Sequence, residues 1–175
     1  MKPSSVIAAL SPALLAEAQL IRLFTTSTNT DVNNTYVSSN GTHLGIRSGG
    51  LASSAIQAST SPGSKTNTNI IAVSGDGNVL GLLGPSGNLA FVGVSNPPAS
   101  TPPGAVLEWD LWRLFAAPDS RVRMADMTAS NWVATQAADG AWLLTWFKGE
   151  GTDGFQGNID PGMTTVTLFW EPVPL

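Results

Sequence analysis

The sequence predicts an all-β fold on three observations: charged residues are scarce, turn formers are abundant, and one strand pattern recurs three times. Charged residues make up 11% of the 175-residue chain, against roughly 25% in ordinary soluble proteins. The helix-forming Lys, Glu, Arg and Gln are therefore few. With 18 Gly and 12 Pro among many Ser, Thr and Asn, local preference runs to β-branched strands joined by tight turns. The length matches one domain large enough to bury a continuous core without metal or disulfide staples.

The recurrence is read from self-similarity along the chain. First strands are predicted near Leu20–Phe24, Ile70–Val73 and Val122–Ala125, with centres about 50 residues apart. Second strands follow at Thr35-Tyr36-Val37, Asn78-Val79-Leu80 and Asn131-Trp132-Val133, each a polar residue before two apolar or aromatic ones. The turns after them carry Asn40-Gly41, Ser86-Gly87 and Asp139-Gly140, where Gly supplies the positive φ of a tight hairpin. Third strands are predicted at His43–Ile46, Asn88–Val92 and Trp142–Trp146, and fourth strands at Ala55–Ala58, Leu107–Trp112 and Val166–Trp170. The copies span about 19–58, 68–114 and 120–173. Each is too small to bury its own apolar face, so the three must share one core.

Three such units resemble the β-trefoil, in which six strands form a short barrel, hairpins cap it, and a pseudo-threefold axis relates the copies. A jelly roll or other β-sandwich is the competing arrangement. Within the trefoil superfamily, the stretch from Asn131-Trp132-Val133-Ala134 to Asp139-Gly140-Ala141-Trp142-Leu143 resembles the fascin and ricin-B hairpin. Thr35-Tyr36-Val37-Ser38 with Asn40-Gly41 is a second copy. The Gln-x-Trp triplet of ricin-type lectin repeats is absent, so that family's sugar-binding residues are not carried over. The lack of cysteine departs from the plant Kunitz inhibitors and is closer to the cysteine-poor fungal trefoils, which include lectins and protease inhibitors.

Composition removes several function classes. The formal charge is −4 and the eight basic residues are scattered, which offers no basic stripe for a nucleic acid backbone. Without cysteine, thiolate metal sites, cysteine nucleophiles and disulfides are impossible, and folding needs no oxidising compartment. No apolar run approaches the ~20 residues that span a bilayer. The start of the chain, with Lys2 before the apolar run Val6–Ala16, imitates a secretory leader. Pro12 interrupts that run, and a strand Val6–Leu10 followed by a helical turn capped by Ser11 is expected instead. The expected location is the cytosol, or outside the cell by a route without a classical signal peptide.

Catalytic constellations are sparse. The single histidine, His43, follows a turn and is read as a surface residue, although Ser38, Ser39, Ser48 and Asp31 lie near it in sequence. Glu108 and Asp110, two apart on a predicted strand, share one face, whereas the acid and nucleophile of a glycosidase must flank the scissile bond. Asp153, Asn158 and Asp160 could supply oxygen ligands to calcium, but without the spacing of an EF-hand. The chain is therefore expected to be a non-enzymatic binding protein without a cofactor or a metal.

Two binding modes are expected. All six tryptophans follow Glu108 in the chain. Alternation sets Trp142, Leu144 and Trp146 against Leu143 and Thr145, and if Leu143 points inward, two indole rings face out beside Asp139. Flat rings next to polar groups suit stacking on a sugar, which makes a lectin that binds glycans the first expectation, with Asp126, Asn131, Trp132, Asp139, Trp142 and Trp146 as its site. The alternative is a protease inhibitor acting through the loop 95–104. Here Asn96, Pro97, Pro98 and Ser100 would meet the protease, and two Pro-Pro pairs reduce the ordering cost of docking.

Overall fold

The computed structural model describes residues 20–39, 43–47, 55–75, 77–124, 131–147 and 161–174. Among these residues the chain is all β, with no helix and thirteen strands in one antiparallel hydrogen-bonded network. In order they are β1 (Ile21–Thr26), β2 (Thr35–Ser39), β3 (Leu44–Ile46), β4 (Gln57–Pro62), β5 (Asn69–Val73), β6 (Val79–Pro85) and β7 (Asn88–Val94). There follow β8 (Ala105–Glu108), β9 (Trp112–Leu114), β10 (Val122–Met124), β11 (Asn131–Gln136), β12 (Trp142–Phe147) and β13 (Met163–Pro172). The strand expected at Val6–Leu10, the turn at Asn40-Gly41 and the oxygen-rich stretch at Asp153, Asn158 and Asp160 lie outside the described residues.

Six strands close a ring. β1 pairs with β4, β4 with β5, β5 with β9, β9 with β10, and β13 with β1. The gap between β10 and β13 is bridged by the Arg121–Phe169 pair and by a 2.9 Å hydrogen bond from the Trp170 amide to the Ser120 carbonyl. Each of these strands sends a buried residue inward: Leu23, Ala58, Ile71, Trp112, Val122 and Leu168 are all at most 1% exposed. The period-2 alternation of a strand puts these on the inner face and leaves Arg22, Phe24 and Phe169 half-buried on the outer one.

The hairpins β2–β3, β6–β7 and β11–β12 stand against this ring. β12 pairs with both β3 and β7, and His43 bridges to Val92, so the three hairpins meet in a triangle. β2 is joined to β1, β6 to β5 and β11 to β13. The glycines of the β6–β7 and β11–β12 turns, Gly87 and Gly140, have φ of 92° and 81° as the sequence predicts. Phe91 and Trp132, carried by hairpins, descend onto Trp112 in the ring. Phe91 meets both indoles edge-on, at 5.7 and 5.3 Å, and the two indoles stack at 6.3 Å and 5°. The cap and the barrel thus share one apolar interior.

One predicted strand is divided. Leu107–Trp112 is not continuous: β8 ends at Glu108 and pairs with β6, whereas β9 starts at Trp112 and pairs with β5 and β10. The chain must turn between cap and barrel there. Asp110 occupies the bend, its carbonyl so near Gly63 that a β-carbon on Gly63 would lie 2.1 Å from it. Glu108 and Asp110 consequently do not form the continuous strand face expected of them.

Candidate functional site

The exposed loop 95–104 owes its course to strand direction. β7 and β8 both run antiparallel to β6, with Val94 opposite Val79 and Ala105 opposite Pro85. They are therefore parallel to each other, and the loop must return along the whole length of β6, about 20 Å at the rise of a β-strand. Its ten residues reach ~35 Å when fully extended, so the segment spans the strand with length to spare for a turn at each end.

Both ends are tied locally. At the start, the Ser95 hydroxyl donates to the Pro97 carbonyl at 3.1 Å and accepts from the Ala99 amide at 3.2 Å. At the finish, the Ala105 amide donates to the Pro102 carbonyl at 3.0 Å, and Gly104 has φ 78°. Pro102-Pro103-Gly104-Ala105 thereby has the proline and positive-φ glycine placement of a type II turn. Between the ties, Pro98 and Pro102 lie against Leu83, Val94 and Leu107 around a small groove of about 180 Å³. Gly81 keeps this floor level: a β-carbon there would meet the Leu107 and Val94 side chains at 3.3 Å each. Asn96, Pro97, Ala99, Ser100 and Thr101 are exposed, and Pro98 is half-buried. The prolines mark the loop in the sequence, whereas Leu83, Val94 and Leu107, which form its apolar floor, read there as ordinary strand positions.

The structure corrects the expectation for the tryptophans. Trp132, Trp142 and Trp146 are buried, at 2%, 5% and 2% exposure, with Leu144 at 1%, while Leu143 and Thr145 are half-buried. Alternation separates the two faces of β12 as expected, but the condition that Leu143 point inward is not met, so neither Trp142 nor Trp146 is a stacking platform. Two indoles and a leucine carry far more apolar area than a leucine and a threonine, and burial follows that area. Asp139 is exposed in the β11–β12 turn, where its carboxylate accepts from the Ala141 amide at 3.0 Å. Asp126 and the Asn131 side chain lie outside what the structure describes. His43 is exposed, as the sequence predicts.

The outer wall of the ring carries a second polar cluster. Glu171 accepts at one carboxylate oxygen from Arg22 Nε at 2.5 Å and from the Tyr36 hydroxyl at 2.7 Å, and the Arg22 guanidinium lies 4.8 Å from the centre of the Tyr36 ring. Donation to Glu171, then burial and the Glu171 charge, raise the Tyr36 phenol above its ordinary pKa of 10.0, while Arg22 opposes them. A pKa higher in the folded than in the unfolded state gives stability that is complete below about pH 10 and is lost as pH rises through the folded value. Tyr36→Phe is expected to remove this alkaline component of the unfolding curve, and a midpoint series from pH 8 to 11 checks it. Because the chain has one tyrosine, its phenolate signal reports this group alone.

Among the described residues, no helix is long and apolar enough to cross a membrane. No family model matches the chain, and neither a curated protein nor a solved structure is significantly similar to it.

Proposed function

We propose that the chain is a β-trefoil and that it serves as a non-enzymatic binding protein, inhibiting a protease through the loop 95–104. Support for the trefoil comes from the six-strand ring, from the triangle of three hairpins against it, and from equivalent hairpin-to-ring pairings. A sandwich would instead stack two sheets face to face. Fold alone does not select a function; the loop supports the inhibitor reading.

The carrying observation is that loop's combination of exposure and restraint. Asn96, Pro97 and Ser100 project from a segment tied at both ends and seated on Leu83, Val94 and Leu107. A segment restrained before it meets a cleft loses little further conformational freedom on docking. The glycan reading lacks equivalent support, because its three aromatic members are buried.

A panel of serine and cysteine proteases tests the proposal. Inhibition of at least one at submicromolar protein is expected, and replacing Pro97-Pro98 by Gly-Gly is expected to weaken it about 5- to 30-fold. Each such replacement releases ~0.5–1 kcal/mol of backbone restraint. Absence of inhibition across the panel at micromolar protein removes the reading, and a glycan array on the same sample decides whether the alternative replaces it.

A further inference from the structure

The hairpin β9–β10 concentrates positive charge in an otherwise acidic chain. Three of the eight basic residues, Arg113, Arg121 and Arg123, fall on it, although the formal charge of the whole chain is −4. Arg113 and Arg123 are directly opposed across the two strands, so their side chains leave the same face. Arg121, two residues before Arg123, and Phe115, two after Arg113, belong to that face as well. The four form a quadrilateral in which Phe115 donates its amide to the Arg121 carbonyl at 3.0 Å, and the Arg123 guanidinium lies 5.4 Å from the centre of the Phe115 ring.

Arg121 is the ion-paired member of the set, and its partner Asp119 is held below the usual carboxylate range mainly by Arg121 and also, to a smaller degree, by the charge of Arg123. Arg121 Nη2 donates to Asp119 at 2.7 Å, and its Nε donates to the other carboxylate oxygen. Neither Arg113 nor Arg123 forms an ion pair among the described residues. Like charges placed directly opposite on neighbouring strands destabilise a sheet; the Phe115 ring accounts for the placement of Arg123, but among the described residues no ion pair or ring contact accounts for Arg113. Beside it opens a groove of about 320 Å³ between the β4–β5 turn and this hairpin, lined by Asn67, Arg113, Leu114, Phe115 and Ala116. The groove therefore combines a guanidinium, an amide and an apolar floor.

We propose that this face binds a phosphate or sulfate ester, its oxyanion held between Arg113 and Arg123 and its carbon body on Phe115. Two guanidinium groups approaching from different directions suit the non-coplanar terminal oxygens of a tetrahedral oxyanion better than the single plane of a carboxylate. Bound charge would also relieve the repulsion between the two arginines. The site is independent of the loop 95–104.

The test is a titration of the ¹⁵N-labelled full chain with inorganic phosphate and with phenyl phosphate, at constant ionic strength in chloride. Saturable shifts are expected at the amides of residues 113–116 and 121–123, with phenyl phosphate binding at least threefold tighter than inorganic phosphate. Arg113→Gln and Arg123→Gln are each expected to weaken binding at least tenfold, and Arg47→Gln to leave it unchanged. In chloride alone, the melting midpoint of Arg113→Gln is expected to equal or exceed that of the parent chain. Non-saturable shifts, or shifts unaltered in both hairpin variants, overturn the proposal. Equal affinity for the two phosphates overturns the ester assignment, and a lower midpoint for Arg113→Gln in chloride gives the arginine pair a structural role instead.

Discussion

Replacing Trp112 by alanine is expected to lower the unfolding free energy by about 3–5 kcal/mol, the range for deleting a buried aromatic side chain. Trp112 is fully buried, stacks on Trp132, meets Phe91 edge-on, and donates its Nε1 hydrogen to the Leu80 carbonyl at 2.9 Å. It comes from the ring, and its partners come from two of the hairpins. The loss therefore uncouples cap from barrel as well as leaving a cavity and an unpaired buried carbonyl. For a chain of this length, each kcal/mol corresponds to about 2–4 °C in midpoint, so calorimetry should record a fall of roughly 6–20 °C. Trp132→Phe is the comparison: its Nε1 is buried without a hydrogen-bond partner among the described residues, so removing that N–H relieves a penalty that offsets part of the lost volume. A Trp132→Phe loss as large as that of Trp112→Ala would refute this account of the core.

Gly45→Ala is expected to destabilise by about 1–3 kcal/mol through overpacking, opposite in sign to the usual gain from replacing a strained-free glycine by alanine. A β-carbon at Gly45 would sit 2.4 Å from the Trp142 carbonyl oxygen and 3.2 Å from its carbon. These are backbone atoms, so no rotamer change relieves the clash. Gly45 lies in β3 between Ser38 of β2 and Leu143 of β12, and β12 is itself held by β11 and β7. Neither neighbour can withdraw without breaking a ladder in the hairpin triangle. Gly93→Ala serves as control, since its β-carbon would make ordinary contacts at 3.8 Å with Asn78. Thermal midpoints of the two variants should move apart, and hydrogen exchange should quicken in β3 and β12 for Gly45→Ala only. Equal midpoints would show that β3 yields more easily than its two-sided pairing implies.

How far the sequence reached can be traced residue by residue. Strand positions were legible where alternation and a glycine turn coincide: Asn88–Val92, expected after Ser86-Gly87, falls within β7 (Asn88–Val94), and Trp142–Trp146, expected after Asp139-Gly140, within β12 (Trp142–Phe147). The loop 95–104 was legible because proline restricts φ whatever surrounds it. The break at Trp109–Leu111 was not, because it arises from a change of pairing partner, from β6 to β5 and β10. Nor was the opposition of Arg113 to Arg123, since residues ten apart meet only once the register of the hairpin is set.

By themselves, then, the residues determined an all-β chain, the glycine turns at Gly87 and Gly140, and the separation of the two faces of β12, because these depend on backbone preference and on a side-chain period of two. Which face of β12 is buried, which strands close the ring and which arginines become neighbours were decided by the tertiary structure. Those outcomes depend on total apolar area removed from water and on pairings between distant segments, and a local pattern encodes neither.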